Sequence, residues 1–148
     1  MPQDLKIPPH SVEAEESVLG ALLMDKDAII TVAPILKPDN FYETRHQKIY
    51  TAILSLYEER EAIDLVTVAE ALKKDKALKK IGGKTYLTEL LERVPTSAHA
   101  EQYAKIIRDH AVKRELISSA SRLVEMSFDE SVEARQVLDI AEQQIFSL

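Results

Sequence analysis

Helix breakers stop at residue 95 of this 148-residue chain, and that asymmetry constrains the fold more than any other feature. The glycines are Gly20, Gly82 and Gly83, and the prolines are Pro2, Pro8, Pro9, Pro34, Pro38 and Pro95. Nothing in residues 96–148 interrupts a helix, so this part reads as nearly continuous helix. The chain is therefore expected to comprise a flexible N-terminal arm, residues 1–10, a helical head, residues 11–95, and a helical hairpin, residues 96–148.

The head reads as short helices. Ser11 is placed to cap a first helix whose opening turn holds Glu13, Glu15 and Glu16, surface acids matched to the helix dipole. Val12, Leu19, Leu22 and Leu23 line one face. Gly20 costs about 1 kcal/mol against alanine within a helix and signals a closely crossing neighbour. Residues 27–33 form a short second helix that ends at Pro34. Thr44 with Gln47, and Thr67 with Glu70, have capping-box spacing before two further apolar runs. A fifth helix, residues 85–94, carries Leu87, Leu90, Leu91 and Val94. No segment alternates like a strand. The fold class is all-α: a compact head of about five short helices followed by a long antiparallel helical hairpin.

In the hairpin, Thr96 or Ser97 opens a helix about 45 Å long. Asp129, Glu130 and Ser131 turn the chain. The return helix, about 25 Å long, sets Ala134, Leu138, Ala141, Ile145 and Leu148 at a/d-like spacing and covers only the distal half of its partner. That half carries two apolar stripes: Val112, Leu116 and Leu123 with Met126 at the edge, and Ile117, Val124 and Phe128. One partner helix cannot bury both. The return helix has leftovers of its own, Val137, Ile140 and Phe146. Such an arm should recruit another surface, and Leu116, Val124, Phe128, Val137 and Ile140 are the self-association candidates.

Composition removes several chemistries. Nineteen Lys and Arg against 25 Asp and Glu leave a net charge of −6, unlike a dedicated DNA-binding module. With no cysteine there is no disulfide or thiolate site. No apolar run approaches the roughly 18 residues of a membrane span, and the polar start is no signal peptide, so a soluble cytoplasmic protein is expected. Gly82-Gly83-Lys84-Thr85 looks like the end of a phosphate loop, but Leu78 stands where that motif needs its first glycine, and a helix precedes it instead of a strand. Gly82 reads instead as a left-handed helix cap. His10, His46, His99 and His110 lack metal-ligand spacing, and His46 reads as a packing or hydrogen-bonding residue. Lys73, Lys74, Lys76, Lys79, Lys80 and Lys84 form a possible basic patch, either a solvated face or a contact for phosphate or an acidic partner. No aromatic residue lies among them to stack on bases. No catalytic constellation, cofactor site or metal site is expected in this chain.

Residues 8–23, PPHSVEAEESVLGALL, resemble the opening of the N-terminal domain of bacterial replicative DNA helicases of the DnaB type. The resemblance continues through Asn40-Phe41-Tyr42 with His46, Ile63-Asp64-Leu65-Val66-Thr67, and Ile81-Gly82-Gly83 with Tyr86-Leu87. It runs on through Val94-Pro95-Thr96 and Tyr103-Ala104-Lys105-Ile106-Ile107, in the family's order across almost the whole chain. It implies a non-catalytic domain excised from a larger helicase whose RecA-like ATPase domain uses ATP and Mg. In that family, heads and hairpins form a collar, a trimer of dimers, that docks the helicase-binding domain of primase and helps organise loading by a helicase loader. Tyr86, Ile117 and Leu123 are the primase-docking candidates: Ile117 on the less covered stripe, Leu123 toward the tip, Tyr86 with its ring off the apolar face of the fifth helix. DNA would be bound weakly, if at all, by this domain, and no membrane contact is implied. Two other classes stay open on architecture and charge: a primase helicase-binding domain and a nucleic-acid-binding helical module.

Overall fold

The computed structural model describes residues 6–148, and the regular elements among them are helices. They are α1 (Val12–Met24), α2 (Ala28–Val32), a 3-10 turn (Pro38–Asn40), α3 (Thr44–Glu58), α4 (Leu65–Lys74), α5 (Leu78–Ile81), α6 (Gly83–Arg93), α7 (Ala100–Phe128) and α8 (Ala134–Phe146). The described residues divide into two compact units, residues 10–109 and residues 110–148 with residues 6–9. The first unit thus ends inside α7, beyond the boundary placed at Pro95, because Ala100, Ala104 and Ile107 belong to the head core. Residues 1–5 of the expected flexible arm lie outside the described residues. The end of that arm is tied down: the His10 ring stacks on Tyr42 with centroids 3.9 Å apart.

Within the head, α1 packs on α3 and α6. Gly20 explains how closely. A Cβ there would strike the Leu90 carbonyl oxygen and the Val94 Cγ2, so α1 and α6 approach backbone to backbone at this point. Leu19, Leu22, Ile49, Tyr50, Ile53, Leu72, Leu87 and Leu90 fill the interior, and the Tyr50 hydroxyl donates to the Leu36 carbonyl at 2.9 Å.

The helix starts differ in part from the sequence expectation. Ser11 accepts from the Ala14 N–H at 3.1 Å, as expected. Before α4 the reciprocal box is Asp64 with Thr67, each side chain accepting the other's N–H at 2.9 Å, three residues earlier than Thr67 with Glu70. No box forms at Thr44: Glu43 is the N-cap, and the Gln47 amide reaches back to the Phe41 carbonyl at 2.7 Å instead. Gly82, at φ +108°, is the left-handed cap of α5.

The second unit holds the distal part of α7 and α8. Arg114 donates to the Pro9 carbonyl at 2.8 Å. No residue of α8 is fully buried. Leu123 and Met126 on α7, and Val137, Ile140, Ala141, Gln144 and Leu148 along the return, are half-buried. This rotates the expected face of α8 in part: Ala141 and Leu148 lie on the covered side and Phe146 is exposed, as expected, but Ala134 is exposed. Leu138 and Ile145, placed at the seam by their spacing, are 62% and 61% exposed, whereas Val137 and Ile140, expected as leftovers, lie on the covered side.

Candidate interaction surfaces

Glu15 and Glu16 correct the picture of an acidic surface turn: both are buried. Glu15 lies in line with Leu19 and Leu22, four and seven residues on, so the helix that buries the leucines buries the acid too. Its carboxylate accepts from the Tyr42 N–H at 2.7 Å and the Glu43 N–H at 3.3 Å. It thereby fixes, from another helix, the two residues that lead into α3, Tyr42 and the N-cap Glu43, and its charge lies near the positive end of the α3 dipole. The same carboxylate holds the His46 Nδ1 at 2.7 Å. The other ring nitrogen, Nε2, lies 2.6 Å from the Tyr86 hydroxyl. A three-member polar chain thus ties α1, α3 and α6 together. Glu16 pairs with Arg93 at 2.9 Å on the same side of α1.

Tyr86 is therefore not a free anchor. It is 6% exposed, the Arg45 guanidinium lies 3.8 Å above its ring, and burial pushes its phenol up to about 12, with Arg45 partly opposing. The expectation that its ring stands clear of the core fails because His46, forty residues away in sequence, claims its hydroxyl. Glu15, His46 and Tyr86 are all buried and line none of the described cavities, so the chain of contacts is a structural joint between helices.

The lysines occupy the corner between α4, α5 and α6. All six are exposed, and none takes part in the ion pairs among the described residues. Lys73, Lys76, Lys79 and Lys84, with Glu70, Leu78 and Gly83, line a cavity of about 490 Å³. Lys74 and Lys80 stand outside it. Gly82 and Gly83 turn one short helix into the next here, so the Gly-Gly-Lys-Thr string is a corner between helices.

On the hairpin, Leu116, Ile117 and Val124 are exposed and Phe128 is 84% exposed. Twelve residues at 1.5 Å rise make this ridge about 18 Å long. Leu123, the remaining docking candidate, is half-buried on another side of α7. Leu138, Ile145 and Phe146 add exposed apolar surface on α8. Among the described residues no group of His, Asp and Glu is arranged to hold a metal ion, and no helix is long and apolar enough to cross a membrane.

The family model of the DnaB-like helicase N-terminal domain matches residues 7–109. The chain is 40% identical over 143 residues to the replicative DNA helicase DnaB of Geobacillus stearothermophilus, covering 97% of this chain and 32% of that protein. It is 38% identical to the replicative DNA helicase DnaC of Bacillus subtilis, again over 97% of this chain and 32% of the relative. The chain thus spans about a third of the length of these relatives. Among solved structures, the N-terminal domain of DnaB helicase from Mycobacterium tuberculosis superposes with a TM-score of 0.87 at 40% identity, over 96% of this chain and all of that one. A DnaB-like replicative helicase described with its primase interactions shares the fold at a TM-score of 0.76 and 24% identity, over 93% of this chain and 31% of that one.

Proposed function

The chain belongs to the DnaB-like helicase N-terminal domain family, and from that premise we propose that it serves as the non-catalytic collar of a cytoplasmic replicative DNA helicase, assembling with its own copies and docking primase. The observation that carries this reading is the uncovered apolar ridge of α7, Leu116, Ile117, Val124 and Phe128, together with exposed Leu138 and Ile145 on α8. A hairpin with so little burial of its own gains stability by covering that surface with another protein. The family match favours this over the primase helicase-binding domain. ATP and Mg belong, in this reading, to an ATPase domain of the parent helicase, and no residue of this chain is assigned to them. A helicase loader is a further partner of the same collar.

Primase is the partner named for a structural relative, and it comes to this chain as part of the proposal. Ile117 is the exposed docking candidate, Leu123 is half-buried on another side of α7, and Tyr86 supports the edge of the head from within. The test is a set of three variants: Ile117→Ala, Leu123→Ala, and the pair Leu116→Asp with Val124→Asp. Sedimentation reads association, and calorimetry reads affinity for the primase helicase-binding domain. The paired variant is expected to lose self-association. Ile117→Ala should lose about 5–30-fold in primase affinity with association and stability unchanged. If primase affinity falls only where association falls too, Ile117 belongs to the scaffold and the docking assignment fails.

A further inference from the structure

Two segments of opposite charge stand out. Residues 73–84 hold six lysines and one acid, Asp75, while residues 123–134 hold four acids, Glu125, Asp129, Glu130 and Glu133, and no base. The lysine corner is more than a solvated cationic face. Lys73, Lys76, Lys79 and Lys84 rim a cavity of about 490 Å³, within the roughly 300–1,000 Å³ of recognition pockets. Leu78, Gly83 and the lysine stems give it an apolar floor. A bare phosphate or a DNA backbone would leave that floor unused, and no aromatic ring lines the cavity to stack on a base. The fitting occupant is an acidic peptide segment that presents one large apolar side chain among its carboxylates.

The hairpin tip of this chain has that composition. Phe128 is 84% exposed, immediately before Asp129 and Glu130. The turn is ordered, because the Asp129 carboxylate accepts from the Ser131 N–H at 2.9 Å and the Ser131 hydroxyl at 2.6 Å. We propose that the acidic hairpin tip of one copy, with Phe128 as apolar anchor, seats in the lysine-rimmed pocket of a second copy. The proposal rests on the self-association reading above and adds to it a charged contact at the tip end of the α7 ridge, where Phe128 lies. Exposed ion pairs are individually weak and are screened over about 8 Å at physiological salt, so this contact should tighten as salt falls.

A charge swap tests it on the 148-residue chain. One variant carries Lys79→Glu and Lys84→Glu, the other Asp129→Lys and Glu130→Lys. All four positions are exposed, and circular dichroism confirms that helix content is kept. Alone, each variant opposes like charge to like charge and should associate about 10-fold or more weakly than the native chain in sedimentation at low salt. Mixed in equal amounts, both pocket–tip contacts become complementary again, and association should return. Phe128→Ser should weaken association without altering its salt dependence. Native association by either variant alone, failure of the mixture to recover, or a native chain that stays monomeric at several hundred micromolar would each overturn the proposal. Loss of association in the Leu116→Asp and Val124→Asp pair, with both charge variants native-like, would remove the pocket contact and leave the ridge reading standing. A lysine variant that loses DNA or primase binding while associating normally assigns the pocket to that partner and ends the proposal.

Discussion

Both ring nitrogens of His46 are engaged, one by the Glu15 carboxylate and one by the Tyr86 hydroxyl. Removing the ring strips two buried groups of a partner at once, so His46→Ala should lower the unfolding free energy by about 3 kcal/mol in urea titrations. Tyr86→Phe removes a single hydroxyl and should cost about 1–2 kcal/mol; equal costs for the two would show that the chain does not act through His46. Alkali gives a second measure. Burial raises the Tyr86 phenol from 10.0 to about 12, so the unfolded chain ionises it first. Its contribution is whole below pH 10 and is lost as pH rises toward 12. The Tyr86→Phe variant should lack this part of the alkaline decline in stability, and an unchanged curve would contradict the assignment. None of this joint was visible to spacing alone, because its partners lie 31 and 40 residues apart. One clue was present: Glu15 sits on the leucine face of α1, where an acid needs a buried partner.

At the level of helices, the sequence announced Gly20 correctly. Gly20→Ala would drive a methyl group into the Leu90 carbonyl, and the fold should lose about 2–3 kcal/mol, seen as a lower thermal midpoint with α1 and α6 pushed apart. The Gly82 cap was also readable, since glycine chemistry is local, whereas the head holds six α-helices instead of about five, because the sequence pattern merges the short α5 with α4. Cap identity was readable only in part: Asp64 supplies the box that the Thr67 and Glu70 spacing suggested, and no box forms at Thr44, where Glu43 is the N-cap. The facing of α8 was misread in part, for a different reason. Its apolar residues occupy both Val137/Ile140 and Leu138/Ile145, and periodicity cannot choose between two adjacent stripes. The structure chooses, which gives a paired expectation. Ile140→Ser should destabilise the hairpin, whereas Leu138→Ser should leave monomer stability within about 0.5 kcal/mol. A reversal of that order in thermal melts would restore the facing drawn from spacing.

Over the whole chain, burial is lopsided. The head carries the core, while α8 has no fully buried residue. A unit so poor in burial takes its stability from whatever covers it, and mass action then makes its apparent stability depend on concentration. Hydrogen exchange should show α8 amides slowing as protein concentration rises while those of α1 and α3 stay constant; concentration-independent protection would mean the hairpin stands alone. The all-helical class and the hairpin were legible because breakers are absent after residue 95. The head's extension into α7 was not, since three small or branched residues in a long helix, Ala100, Ala104 and Ile107, look the same whether they face a core or water. The exposure of Phe128 also has an optical consequence. The chain contains five tyrosines and no tryptophan, so Phe128→Trp would install its single indole at the hairpin tip. Emission from that indole would be red and readily quenched while the tip is in water, and would turn blue and shielded once another surface closes over it. The fold thus offers a background-free fluorescent reporter at the point where one molecule is proposed to meet the next.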